Sequence, residues 1–267
     1  ISLDNLEHQI ETNGFYRELR RGYPGAIITL LVRPDVYPLV ELCPYVNAVL
    51  PFMPYYTAPL NWFDEAVSFC HKYLWQRKFS CCYVLRCGDD LHYESLLAYL
   101  SGAADRIGYA GAPGDFLLTK SVLNLQEPMG MLERSLYLLR AAGYKIGAVQ
   151  NEIWFDDKDL AEAKRILHGF SCGRRMLSIA TVDQRNLGDL YDKFLPEDTC
   201  LVVLDELPVD IKNDLLQHGF TFKDLHNLAN LRVGCAVLTL VSGHVGGKSI
   251  WQQLARILGV EILNVGH

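Results

Sequence analysis

From one end of the 267-residue chain to the other, short apolar runs alternate with stretches whose apolar residues recur three and four apart. The runs Ala26–Val32, Ala48–Phe52, Cys82–Cys87 and Arg106–Tyr109 lack helical period and read as buried strands. Ile1–Leu3 reads as the tail of another. Between them lie helical stretches. Ile10–Arg20 is stopped by Gly22, Pro24 and Gly25. Phe63, Ala66, Val67, Cys70 and Leu74 make one stripe, and Tyr93, Leu96, Leu97 and Leu100 another. After Gly111–Gly114 the chain is irregular as far as Met129, and a helix through Leu132, Leu136 and Leu139 follows. Tyr144–Phe155 reads as a connector. The alternation then restarts: helix Leu160–Leu167, strand Met176–Thr181, helix Leu187–Phe194, strand Cys200–Leu204, helix Val209–Gln217, a short helix Asn227–Val233, and a closing strand Val260–Leu263. The pattern predicts an α/β protein with parallel sheets covered by helices on both faces. The connector divides it into two halves, 1–150 and 151–267. Ligands of such folds bind beyond the carboxyl ends of the strands, and the expected site is the cleft between the halves.

The stretch Ala236–Gly259 carries the strongest chemical signal. Ala236–Val241, with Val237, Thr239 and Val241 β-branched, predicts a strand. Ser242, Gly243, His244, Val245, Gly246 and Gly247 predict a glycine-rich turn. A helix beginning near Ser249 buries Ile250, Trp251, Leu254, Ile257 and Leu258. Glycines let the main chain approach an anion, and free N–H groups with the helix dipole favour negative charge there. Lys248 adds a cation. The expectation is a phosphate site, and the alternative is a βα turn with no ligand. SGHVGGKS nearly spells a P-loop, but Ser242 stands where the first glycine belongs. Too little chain follows to supply a magnesium-holding acid on a later strand.

A net charge of −6 argues against a broad nucleic-acid surface. No apolar run approaches the length of a membrane span, and no signal peptide is apparent at Ile1. The eight cysteines include no CxxC pair, so they read as free thiols of a reducing cytoplasm, with Cys81, Cys82 and Cys87 the one cluster near a strand end.

Three stretches resemble glycosyltransferase family 9, the ADP-heptose:lipopolysaccharide heptosyltransferases and their relatives. They are FYRELRRGYPGAIITLLVRPDVYPLVELCPYVNAVLPF, LLAYLSGAADRIGYAG and MLERSLYLLRAAGY, in the family's order and spacing. The resemblance implies a GT-B fold of two Rossmann-like domains, with the N-terminal one facing the acceptor and the C-terminal one holding a nucleotide-sugar. It also implies inverting transfer from a nucleotide-diphosphate donor such as ADP-heptose to a bacterial surface glycan. No metal and no cofactor besides that donor are needed. The protein would lie in the cytoplasm, with peripheral contact to the inner membrane.

The family's motifs are altered here. Its first-loop Gly-Asp falls on Glu7-His8, so the base position carries His8 with Glu7 beside it, and an imidazole can take a proton at neutral pH. The later helix begins Gly130-Met131-Leu132-Glu133-Arg134, without the family's leading histidine. Gln253 stands where the last helix usually has another histidine. Arg185 lies near the family's basic residue after the first strand of the second half. The expected donor site is therefore Arg185 with Ser242, Gly243, His244, Gly246, Gly247, Lys248 and Ser249. Asn13, Arg86 and Asp90 are the expected acceptor contacts. Tyr55 and Tyr56 suit a rim. The rival expectation is a glycosyltransferase-like domain that has lost catalysis and serves binding or assembly.

Overall fold

Parallel ladders alternate with helices throughout the computed structural model, which describes residues 1–52, 59–86, 93–111, 114–123, 129–182, 184–228 and 230–263. The side chains of residues 59–61 and 184–186 lie outside that description. The chain divides into two compact units, Ile1–Asn151 and Glu152–His267. Among the described residues no helix is long and apolar enough to cross a membrane.

The first unit contains α1 (Leu6–Thr12), α2 (Gly14–Gly22), β1 (Thr29–Val32), α3 (Tyr37–Val40), β2 (Ala48–Pro51) and α4 (Pro59–Phe69). It continues with β3 (Cys81–Tyr83), α5 (Glu94–Leu100), β4 (Asp105–Tyr109), β5 (Lys120–Val122) and α6 (Met131–Ala141). β1 pairs with β2, and β3, β4 and β5 pair in that order, all parallel. Ile1–Leu3 lies between the two ladders. Ser2 donates its N–H to Leu31 O at 2.9 Å. The Ile1 nitrogen donates to Tyr83 O at 2.7 Å, and Leu85 N–H donates to Ile1 O at 3.1 Å. Leu3, Leu31, Phe52, Trp62, Ala66, Cys70, Leu74 and Leu97 form a buried core. It draws on the apolar stripe read from 61–74, because one face of α4 and its continuation packs on the strands.

The second unit contains α7 (Asp157–Leu167), β6 (Arg175–Ala180), α8 (Gln184–Lys193), β7 (Thr199–Val203) and α9 (Val209–Gln217). β8 (Thr221–Asp224), α10 (Leu231–Leu238), β9 (Gly243–Gly246) and α11 (Ile250–Ile257) complete it. The parallel sheet runs β8-β7-β6-β9. Leu177, Ile179, Leu201, Val203 and Val245 pack with Leu187, Leu190, Ile211, Leu215 and Phe220 as one core. α7 packs on α10, and their amino ends are tied together. Asp159 closes a reciprocal capping box with Asp156 and also accepts from Arg232 Nε at 3.0 Å.

The expected strand Ala236–Val241 is instead the end of helix α10. Asn230 caps that helix by accepting from Arg232 N–H, and Val233 through Leu238 are all buried. A short run apolar on every side fits a buried helix as well as a strand, and the cap decides it. The strand comes later, in Gly243–Gly246, within the residues expected to form the turn. The expected strand Val260–Leu263 is reduced to a single bridge, His244 to Ile262. Two short strands, β5 and β8, carry no apolar alternation and were not expected. The helix expected from Ile10 begins at Leu6 and is broken at Asn13-Gly14.

Trp251 lies in the contact between α10 and α11. A Cβ added to Gly234 would stand 2.4 Å from its Cη2 and 2.7 Å from its Cζ3. Alanine is worth up to about 1 kcal/mol more than glycine in a helix interior. The rigid, buried indole cannot yield, and overpacking costs about 1–3 kcal/mol. Gly234→Ala is therefore expected to lower stability by about 1–2 kcal/mol in urea unfolding, and a gain would contradict this packing.

Candidate functional site

Polar groups gather in each unit at the carboxyl ends of its strands. In the first unit the strand-like Ile1–Leu3 delivers Asp4, which is only 4 % exposed. Asp4 Oδ1 accepts from Arg86 at 3.1 Å and lies 3.6 Å from His8 Nδ1. Arg86 Nε stands 4.0 Å from Glu94, whose other oxygen accepts the Leu3 N–H at 3.2 Å. His8 occupies the first turn of α1, where Asn5 caps the helix by accepting its N–H. Nδ1 is the ring nitrogen turned toward Asp4. Glu7 is exposed beside it.

Asn13 is fully buried and accepts from Gln9 Nε2 at 3.0 Å. The same amide donates to the Tyr16 hydroxyl at 2.7 Å, and Gln9 Oε1 accepts from Ser2 Oγ at 3.0 Å. Asn13 is thus a packing node between α1 and α2, which corrects its expected role as an acceptor contact. Asp90, like Cys87, Asp89, Tyr55 and Tyr56, lies outside the described residues. Burial pushes the Cys81 thiol up to about 11 and raises Cys82 as well, which leaves both protonated at neutral pH.

In the second unit β6 and β9 converge at their carboxyl ends. A Cβ on Gly246 would lie 1.9 Å from Ala180 O, so only glycine fits. Gly247 N–H donates to Thr181 O at 3.0 Å. Thr181 itself has φ +49°, a left-handed conformation that costs a β-branched residue energy. Its hydroxyl donates to Asp205 Oδ2 at 2.8 Å, just past the end of β7. Ser249 then caps α11 by accepting the Gln252 N–H at 3.2 Å. Gln252 Nε2 braces the turn by donating to Gly246 O at 3.2 Å. Lys248 is exposed. The first N–H groups of a helix have no acceptor within it, and Lys248 stands two residues ahead of the start of α11.

This geometry narrows the expected donor site. Ser242, Gly243 and His244 are not a phosphate-binding turn. Gly243 and His244 belong to β9, and Ser242 N–H is bonded to Met176 O at 2.8 Å. His244 is fully buried, with Nδ1 2.9 Å from the Ser178 hydroxyl. Burial pushes its pKa down from 6.5 to about 4, so it is neutral at pH 7. What remains is Lys248 and Ser249, since Gly246 ends β9 and the Gly247 N–H is committed to Thr181 O. Arg185 lies in the first turn of α8, and its side chain is outside the description. Sequence reasoning missed Thr181, Asp205 and Gln252. The position of Asp205 was readable, since it directly follows the apolar run Cys200–Leu204. The conformation of Thr181 leaves no trace in sequence. Among the described residues no group of three His, Cys, Asp or Glu side chains converges as metal ligands would.

No protein-family model matches the chain, and no curated protein matches it in sequence. Solved structures match its fold. A family 9 glycosyl transferase from Veillonella parvula superposes with a TM-score of 0.81 at 14 % identity, over 98 % of this chain and 78 % of that one. The Escherichia coli ADP-heptose lps heptosyltransferase II gives 0.76 at 17 % identity, over 97 % and 81 %. The E. coli heptosyltransferase WaaC with ADP gives 0.63 at 13 % identity, over 97 % and 83 %. The chain has the GT-B-like fold of these glycosyltransferases, two α/β units with parallel sheets.

Buried His244 makes stability depend on pH. Unfolded, its imidazole takes a proton near 6.5, whereas folded it stays neutral down to about 4. Its contribution is therefore complete above pH 6.5 and is lost as pH falls toward 4, by up to about 3 kcal/mol. His244→Leu should flatten the fall of unfolding free energy over that window, measured by urea titrations at several pH values. An unchanged slope would contradict the assignment.

Proposed function

We propose that this protein is a glycosyltransferase of the family 9 kind. It moves a sugar, of the heptose type, from a nucleotide-diphosphate donor such as ADP-heptose to a bacterial surface glycan. The reading is carried by the fold shared with the two heptosyltransferases over 97 % of the chain and with the family 9 glycosyl transferase over 98 %. The glycine turn that leads into α11, with Lys248 exposed beside it, supports it. In the proposed reaction the acceptor hydroxyl oxygen attacks the anomeric carbon from the face opposite the diphosphate. The carbon–oxygen bond to phosphate breaks, the nucleoside diphosphate departs with the electron pair, and the configuration inverts.

His8 Nε2 takes the acceptor proton, while Asp4 faces Nδ1 and orients the ring. Glu7 is the second candidate base. The charge developing on the departing diphosphate is met by Lys248, Arg185 and the N–H groups at the start of α11. No metal ion is assigned a role in this scheme. The proposed setting is the cytoplasm, beside the inner membrane that carries the growing glycan.

A second reading keeps nucleotide binding without catalysis. It is favoured by the imidazole at the base position and by the commitment of Asp4, the neighbouring carboxylate, to Arg86.

Two measurements separate these readings. Calorimetric titration with ADP should show binding that weakens about 10-fold in Lys248→Ala, the size expected of a charge-assisted phosphate contact. Release of nucleoside diphosphate from ADP-heptose with acceptor should fall about 100-fold or more in His8→Ala, with KM little changed. ADP binding with no turnover on any acceptor supports the binding module. Indifference of turnover to His8→Ala removes the base assignment.

A further inference from the structure

The helical run that begins with α4 continues through Cys70–Leu74 and Trp75–Arg77 and ends just ahead of β3. Its last stretch, CHKYLWQRK at residues 70–78, carries Lys72, Arg77 and Lys78 and no acidic residue, in a chain whose net charge is −6. Lys72 Nζ lies 4.9 Å over the Tyr73 ring, and Arg77 donates to Tyr73 O and to the Thr29 hydroxyl. Among the described residues none of the three cations is paired with a carboxylate. Aromatic rings stand between them. Tyr73 is 39 % exposed and Trp75 44 %. Trp75 Nε1 donates to Leu100 O at 2.6 Å, so its one polar group is met inside the protein and its exposed surface is apolar. Tyr99, in the last turn of α5, is also exposed, with the Arg106 guanidinium 5.5 Å over its ring. Asp105, whose N–H donates to Ser80 O, is offset by Arg106 next to it, so the basic excess stands. A groove of about 400 Å³ lies here, lined by Trp75, Lys78, Phe79, Ser101 and Gly102. Lys78 itself has φ +49°. It takes the position just past a helix where glycine fits without strain, so a lysine is held there at a cost to the fold.

We propose that residues 71–78, with Tyr99 and Arg106, form the surface by which this protein rests on an anionic phospholipid bilayer. Aromatic rings among cations match the water–lipid boundary, where amphipathic rings sit at headgroup level and Lys and Arg meet lipid phosphates. A net charge of −6 repels such a bilayer on average, so the acid-free stretch decides which side turns toward it. Each cation near an anionic surface is worth about 5-fold in affinity, and three together about 100-fold. A protein partner fits less well, because a stable interface takes about 20–30 residues a side and this surface offers about ten. The groove gives Lys78 room to meet a headgroup phosphate, and that contact accounts for a lysine where glycine would sit unstrained. The surface lies at the amino ends of β3 and β4, whereas Asp4 and His8 stand at the carboxyl ends. It is therefore independent of the glycosyl-transfer reading and is read by partition, not by turnover.

The test floats the full chain with vesicles of phosphatidylglycerol and phosphatidylcholine in equal parts, against phosphatidylcholine alone. Binding should be about 10-fold or more tighter to the anionic vesicles, and should fall away as salt rises from about 0.05 to about 0.5 M. Trp75→Ala should weaken it about 10-fold. Lys78→Gly separates contact from fold. It should weaken binding about 5-fold while Tm holds or rises, because the strain at that residue is relieved. Equal binding to both vesicle types, full binding by Trp75→Ala, or a loss in Lys78→Gly that comes only with a fallen Tm would overturn the proposal. So would capture on single-stranded nucleic acid with no binding to either vesicle.

Discussion

Much of the second unit's chemistry depends on one close approach, that of Gly246 to the Ala180 carbonyl. A side chain at that point would overlap the oxygen at 1.9 Å, so β9 can lie against β6 only because the residue is glycine. The approach brings Gly247 N–H to Thr181 O and goes with the left-handed turn of Thr181. That turn aims the Thr181 hydroxyl at Asp205. Ser249 then starts α11 with Lys248 on the open side. Strain held at one residue and a glycine that tolerates no substitute are the marks of a built turn. They sit where a parallel sheet offers its helix amino ends to an anion.

The first unit gathers a different set of polar groups. Asp4 is buried, so its charge must be met inside the protein, and Arg86 meets it directly. Glu94 is also buried and receives the Leu3 N–H, which fixes the strand from which Asp4 emerges. Gln9 gathers Ser2, Asn13 and Tyr16, locking α1 against the same strand. His8 is the half-exposed member of this otherwise closed group. The arrangement spends its rigidity on presenting one imidazole beside one carboxylate.

The alternation of strands and helices was legible because buried parallel strands and amphipathic helices write different periods. The connector near residue 150 was legible because neither period runs through it. Ala236–Val241 was misread because an apolar run buried on every side carries no period, and Asn230 was the only local sign of a helix. That shift moved Gly243 and His244 from turn to strand and turned His244 from a presumed anion contact into a neutral core residue. β5 and β8 escaped notice because Lys120–Val122 and Thr221–Asp224 are edge strands with exposed, polar positions. Lys248 and Ser249 were proposed from the sequence because a glycine pair before a helix is a local signal. Thr181 and Asp205 were not, because they reach the turn through the sheet, from residues far away in sequence.

Amide chemical shifts read the central claim most directly. Titrating ADP into uniformly ¹⁵N-labelled protein should move the resonances of Gly247, Lys248, Ser249, Ile250 and Trp251, with Thr181 following through its bond to Gly247. Those of the buried β9 residues Gly243 and His244 should shift much less. Saturation with no movement at 247–251, or with movement confined to other residues, would contradict the account.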